Sequence, residues 1–311
     1  MEKIMPVPDG LINMRLDHAI SKMLGISRTK ADTFIADGQI TILGNPETQK
    51  SVKLTSSDIL SINITEPKPV VEPEATDMEI IYEDEDIVVV NKPVGVAAHP
   101  SDGWTGPTVV GSLMKRGIQL CSYGPPLRRG VVSRLDVGTS GCMLLCKSNL
   151  AYVRMRKQFA EHSVDKIYHA VTHGRLKQEK ATIDAPIGRA KTMDFRFTVS
   201  PIGKPAVTHY DVLEHFGSLA TFVTVKLETG RTHQIRVHFS SIGHPLVGDP
   251  LYGSNPKINV ELGLERQWLH ATKLGFKHPR TSIWTTVESP YPPDLMHALT
   301  VLRSHERDYK G

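Results

Sequence analysis

Cysteine is scarce, with 3 in 311 residues. Cys121, Cys142 and Cys146 are an odd set and not a disulfide framework, and without a Cys-x-x-Cys pair no thiolate zinc site is expected. Reduced, buried thiols in a cytoplasmic protein are the expectation. No apolar run approaches the roughly 20 residues that span a bilayer, so no integral membrane protein is expected. The opening Met1-Glu2-Lys3-Ile4 lacks a basic region followed by an apolar stretch, so no signal peptide is expected. Internal repeats are absent. So is any large charge excess: 37 Lys+Arg face 33 Asp+Glu, a net +4 that permits a polyanionic partner without requiring one. What is present is ordinary globular composition, 40% hydrophobic and 23% charged, which excludes a disordered chain.

Length suggests about two domains. The composition shifts at Glu66-Pro67-Lys68-Pro69-Val70-Val71-Glu72-Pro73-Glu74, where proline resists helix and sheet alike. This divides the chain into a module over 1–66, a linker over 67–77 and a larger domain over 78–311. Residues 1–75 carry 8 Lys/Arg against 10 Asp/Glu, a balance of −2, and the remainder 29 against 23, or +6.

In the module, Leu16, Ala19, Ile20, Met23 and Leu24 recur at helical spacing and Gly25 is placed to end the helix. Ser27 caps a second helix through Ala31, Phe34 and Ile35. Asp37-Gly38 turns into a strand at Ile40 and Ile42. The larger domain opens on a hairpin, Ile80–Tyr82 and Ile87–Val90 around an acidic turn. Strands follow at 142–146, 166–172 and 223–227, and a helix capped by Ser148 runs through Val153, Met155 and Phe159. Strands and helices mix without strict alternation. The expected class is α+β, with a mixed, mainly antiparallel sheet and flanking helices, beside a small α/β module.

Three segments can carry chemistry. Ser133-Arg134-Leu135-Asp136-Val137-Gly138-Thr139-Ser140-Gly141 is a polar, glycine-rich loop between apolar stretches, where an acid is either a turn cap or an active-site group. Arg15-Leu16-Asp17 repeats the tripeptide at a helix start, so the Thr-Ser-Gly continuation is what distinguishes the second copy. In Lys166-Ile167-Tyr168-His169-Ala170, alternation sets Lys166, Tyr168 and Ala170 on one face. There Tyr168 covers a core edge or, beside the small Ala170, flanks a planar ligand. Gly230-Arg231-Thr232-His233-Gln234-Ile235-Arg236-Val237-His238 leads from a strand into a helix with Ile235, Phe239 and Ile242 on its buried face and Gly243 after it. Arg231 at that junction can meet a carboxylate or phosphate. His233 and His238 are five apart, a poor spacing for a shared metal, and none is expected.

Taken in order, these segments resemble the RluA-like pseudouridine synthases. The resemblance also rests on Ile87–Gly95 with His99-Pro100, Gly203-Lys204-Pro205-Ala206-Val207-Thr208, Gly248-Asp249-Pro250-Leu251-Tyr252-Gly253, and Leu269-His270-Ala271 to His278-Pro279. It covers about residues 78–290. The module is similar to the small RNA-binding domain of ribosomal protein S-four, on Arg15-Leu16-Asp17, Ser27-Arg28 and Asp37–Ile40. The resemblance implies an enzyme that detaches uracil from its ribose in RNA and rejoins it through carbon five, without metal or organic cofactor. It implies Asp136 as the catalytic carboxylate, Tyr168 packed on the target base, and Arg231 paired with the aspartate. It further implies substrate contacts at Arg134, Thr139, Lys166, His233 and Arg236. Arg189, Lys191, Arg196 and Lys204 form a basic segment that either grips RNA or is a solvated hairpin. Arg15, Arg28 and Lys30 would serve RNA in the module. A stacked base cannot reach Asp136, so base flipping is implied. Where the family usually has His before Arg-Leu-Asp this chain has Ser133, which hydrogen-bonds but neither carries charge nor stacks.

The substrate expected is large-subunit ribosomal RNA, met by a cytoplasmic monomer. Transfer RNA is the alternative substrate, and a non-catalytic RNA-binding assembly factor the alternative class. A glycosidase would need a second carboxylate across the bond, and the loop offers one.

Overall fold

The computed structural model describes residues 2–42, 45–46, 49–63, 75–101, 103–190 and 196–308. The proline-rich segment Glu66–Glu74 and Lys191 lie outside them. The chain divides into two compact units, 1–71 and 72–311.

The first unit runs β1 (Glu2–Pro6), α1 (Leu16–Leu24), α2 (Arg28–Ala36), β2 (Ile40–Ile42), β3 (Asn45–Pro46) and β4 (Ile59–Asn63), with an antiparallel sheet ordered β1-β4-β2-β3. Gly25 closes α1 in the left-handed region at φ 63°, where glycine carries no steric penalty. The Ser27 hydroxyl accepts from Lys30 N at 3.3 Å and caps α2. The apolar stripes of the two helices bury Leu16, Ile20 and Ile35 against Ile40, Leu60 and Ile62. Strands β1 and β4 were not anticipated from the sequence.

The second unit begins with the hairpin β5 (Ile80–Glu83) and β6 (Ile87–Lys92). It continues through α3 (Val109–Lys115), β7 (Ser140–Cys146), α4 (Asn149–Ala160), β8 (Asp165–His173), β9 (Lys180–Asp184), β10 (Ile187–Arg189) and β11 (Phe197–Val199). It ends with β12 (Val207–Phe216), β13 (Ala220–Leu227), α5 (Gln234–Ser241), α6 (Pro256–Glu261), β14 (Leu269–Lys277), β15 (Trp284–Glu288) and α7 (Pro293–Asp308). The main sheet is ordered β5-β6-β7-β14-β8-β13-β12-β9, with β15 beside β14, while β10 and β11 form a separate ribbon. Its named strand pairs are antiparallel except β7 with β14, which run parallel. The class is α+β with a mainly antiparallel sheet, as the sequence predicts.

The parallel seam explains the glycine of Thr-Ser-Gly. Gly141 pairs with Ala271 at φ 115°, and a Cβ there would overlap the Ala271 carbonyl oxygen. One core spans the seam around Leu144, Met155 and Phe276, and another forms around Val223, Phe239 and Leu246. Helix α5 buries Ile235 and Phe239, but Ile242 is 41% exposed because it lies beyond the last turn, as the C-cap. Among the described residues no helix is long and apolar enough to cross a membrane.

Candidate active site

The Asp136 loop enters β7 at the seam, so its backbone is set by the sheet's middle. Lys92, at the end of β6, is fully buried beneath this loop. Its ammonium donates to the carbonyls of Pro93 and Val96 at 2.8 Å and of Val137 at 3.4 Å. Burial lowers the Lys92 pKa to about 7, against the pull of Asp136. Thr139 N closes the turn on the Asp136 carbonyl at 3.0 Å. Buried Thr139 accepts from the Gln267 amide at 3.2 Å.

A cavity brings together Arg134, Asp136, Thr139, Tyr168, Arg231, His233 and Arg236. Tyr168 reaches it from β8, where it pairs with Val225 of β13. Burial, with Asp136 nearby, pushes the phenol well above its usual range, so it keeps its proton at neutral pH. Ala170 on the same face is buried in the core beneath, so the tyrosine side chain is what lines the opening.

The guanidinium beside the aspartate is that of Arg236, with Nη1 3.4 Å from Asp136 Oδ2. Arg231 lines the same cavity, but its Nε donates to the Pro205 carbonyl at 3.0 Å. The expected pairing of Arg231 with Asp136 is therefore replaced by Arg236. The reason lies in α5: the Gln234 side chain reaches back to accept from Arg231 N, so Arg231 belongs to the exposed turn before the helix. Arg236 lies within the helix's first turn and is 4% exposed. Asp249 makes that burial tolerable by accepting from Arg236 Nε at 2.7 Å and Nη2 at 2.8 Å, a fork-to-fork pair. Its Oδ1 also accepts from Leu251 N and Tyr252 N. The signal for Asp249 lies in the Gly-Asp-Pro turn, but which cation it faces depends on tertiary packing that no local pattern encodes.

His233 precedes α5 at φ 57°, a left-handed conformation unusual for a residue with a side chain of this size. Its Nε2 lies 3.8 Å from Asp136 Oδ2, and burial lowers its pKa. Arg134 donates to the Thr232 hydroxyl across the mouth.

A second cleft of about 450 Å³ adjoins the first and is lined by His99, Arg134, Asp136, His233, Arg236 and Gln267 among others. A third of about 470 Å³ adjoins Arg231 and is lined by Arg134, Arg189, Phe197 and Lys204. Arg189 sits over the Phe197 ring at 5.8 Å. Lys166, at the start of β8 opposite Leu274, lines none of these three. Arg15, Arg28 and Lys30 belong to the first unit. There Arg15 Nε and Arg28 Nη2 both hold buried Asp17, at 3.1 and 2.7 Å, and their hydrogen bonds keep its carboxyl far below the usual range.

Asp84, Asp86 and His278 place three ligand-type atoms within 4.8 Å of one another. Those atoms are already engaged: Asp84 takes Tyr82, His278 and two backbone N–H groups, and Asp86 takes Arg280 and Ser148. The cluster pins the β5–β6 turn.

The family model for RNA pseudouridylate synthase matches residues 86–241. An uncharacterised RNA pseudouridine synthase of Mycobacterium bovis is 46% identical over 305 residues, covering 97% of this chain and 98% of its own. The ribosomal large subunit pseudouridine synthase D of Escherichia coli K12 is 35% identical, with 98% and 95% covered. The solved human RNA pseudouridylate synthase domain containing 1 superposes with a TM-score of 0.58 at 29% identity, over 78% of this chain and 98% of that one. The matched span holds Asp136, Tyr168 and Arg236 together, and the chain belongs to the RNA pseudouridine synthase family.

Proposed function

We propose that this protein isomerises uridine to pseudouridine in large-subunit ribosomal RNA, with Asp136 as the reacting carboxylate. The observation that carries the reading is the Asp136 carboxylate at the cavity mouth, 24% exposed, with Arg236 beside it and Tyr168 in the same cavity. An ionised carboxylate held by a fixed guanidinium can act as nucleophile or stabilise charge without reorganisation. The target base is flipped out of its stack to reach it, and the protonated Tyr168 packs against it. Arg134 and Arg231 at the mouth, with Arg189 and Lys204 on the adjoining cleft, hold the flanking phosphates.

The ribosomal assignment is supported by the similarity, along nearly the whole chain, to a large-subunit synthase. The first unit acts as an S-four-like RNA-binding domain, where Arg15 and Arg28 both pair with Asp17 and Lys30 follows Arg28 two residues on in α2. The enzyme works in the cytoplasm as a monomer.

Asp136→Asn should abolish pseudouridine formation while RNA binding survives, and normal turnover by this variant would overturn the mechanism. Mapping pseudouridines in total RNA with and without the gene should show sites lost from large-subunit ribosomal RNA. Loss confined to transfer RNA would overturn the substrate.

A further inference from the structure

The imidazole of His233 has a hydrogen-bond network that fixes where its proton sits. The Phe197 backbone N–H, on the β10–β11 ribbon, donates to the Tyr252 hydroxyl oxygen at 3.0 Å. The same hydroxyl lies 2.8 Å from His233 Nδ1. If Nδ1 carried the proton, the Tyr252 hydroxyl would receive two donors, and among the described residues its own hydrogen would have no acceptor. With Tyr252 donating to Nδ1 every group is satisfied, and an unsatisfied buried polar group is the costlier alternative. Nδ1 is then the acceptor, and in the neutral ring the proton is on Nε2, the nitrogen that faces Asp136 Oδ2 at 3.8 Å. Burial lowers the ring's pKa and so favours its neutral form, against Asp136 and Asp249 and in concert with Arg236 and Arg134.

The ring itself is held. Phe197 and Tyr252 meet it edge-on at 5.7 and 5.6 Å, and the Arg236 guanidinium lies 4.9 Å from the Tyr252 ring. The residue adopts φ 57° to place it there, and such strain persists only where surroundings over-determine it.

We propose that His233 is a positioning residue for Asp136: its neutral ring presents Nε2–H to the carboxylate, and Tyr252, anchored by Phe197, selects that tautomer. The proposal rests on Asp136 being the reacting carboxylate. At 3.8 Å the N–H does not bond directly in the free enzyme; it orients a dipole toward the carboxylate, and the reverse tautomer would present a lone pair instead.

The test starts with the full-length, nitrogen-15-labelled protein at neutral pH. Long-range proton–nitrogen spectra, with His233 assigned by its loss in His233→Gln, should show a protonated Nε2 and an unprotonated Nδ1. Tyr252→Phe should move the signals toward the other tautomer. A protonated Nδ1 in the wild type overturns the proposal. This readout needs no turnover, so it is separate from failure of Asp136→Asn to abolish activity, which would overturn the function above.

Kinetics supply the second arm. His233→Gln keeps a donor at the Nε2 position, whereas His233→Asn suits the left-handed backbone better but cannot reach. The expected result is a kcat for Asn about tenfold or more below that for Gln, with KM alike. Asn equal to Gln, or as active as wild type, overturns the proposal.

Discussion

Arg236 Nη1 stands 3.4 Å from Asp136 Oδ2, close enough for its charge to hold the carboxylate while Arg231 turns to a backbone carbonyl. The two arginines should therefore fail differently. Arg231→Ala should weaken RNA binding with kcat little changed. Arg236→Met should cut kcat and, by leaving Asp249 buried and unpaired, destabilise the fold by about 3–5 kcal/mol. Single-turnover rates and urea melts of both variants separate the outcomes. A catalytic loss confined to Arg231→Ala would refute this assignment.

Gly141→Ala should be among the most damaging single methyl additions to this chain. It forces a Cβ into the Ala271 backbone at a positive φ, where the neighbouring strand cannot yield without opening the seam. Thermal unfolding should show a large drop in Tm, and a variant as stable as wild type would contradict the seam's geometry.

Stability should fall as pH drops from about 6.5 toward about 4. Burial lowers the pKa of His99, His169, His173, His233 and His238, and brings that of His270 to about 4. Across this window the unfolded chain takes up protons that the folded one refuses, so protons favour unfolding. Lys92 acts in a higher window. Its folded pKa of about 7 lies below the ordinary lysine value of 10.5, so it adds stability as pH rises between the two. Lys92→Met should flatten that alkaline rise, and denaturant midpoints measured across pH check both windows.

Arg189 and Lys204 sit on the cleft beside Arg231 and should act through phosphate charge. Replacing both with Ala should reduce the salt slope of RNA binding by about 1.4, from about 0.7 per phosphate contact on single strands. An unchanged slope would make the β10–β11 ribbon a solvated hairpin.

Much of this arrangement was legible because the local rules were strong. Gly25, Ser27 and Ser148 announce helix ends through caps, and Val223, Val225 and Leu227 alternate because one face of β13 is buried. Asp136, Tyr168 and the Arg231–Arg236 segment are candidates through the family resemblance rather than through local pattern, and the fold draws them into one cavity from positions far apart in sequence. The choice between Arg231 and Arg236 was not legible, since it depends on Asp249 arriving from another turn. Lys92 was hidden for the same reason: its three carbonyl partners are set by tertiary packing, and a lysine in a strand reads as a surface charge. Strands β1 and β4 were missed because the register that joins Glu2 to Asn63 is long-range.

The parallel seam also sets an order in time. Strand β7 meets β14 through Ser140–His270 and Gly141–Ala271, partners 130 residues apart in the chain. During synthesis the hairpin β5–β6 and β7 can form while β14 has not yet been made, and Asp136 then lies on a loop whose sheet is still open on one side. Arg236 and its anchor Asp249 also follow the aspartate by about a hundred residues. The nascent chain thus carries the proposed reacting carboxylate of Asp136 for some 130 residues of synthesis before the strand that closes its seam has been made.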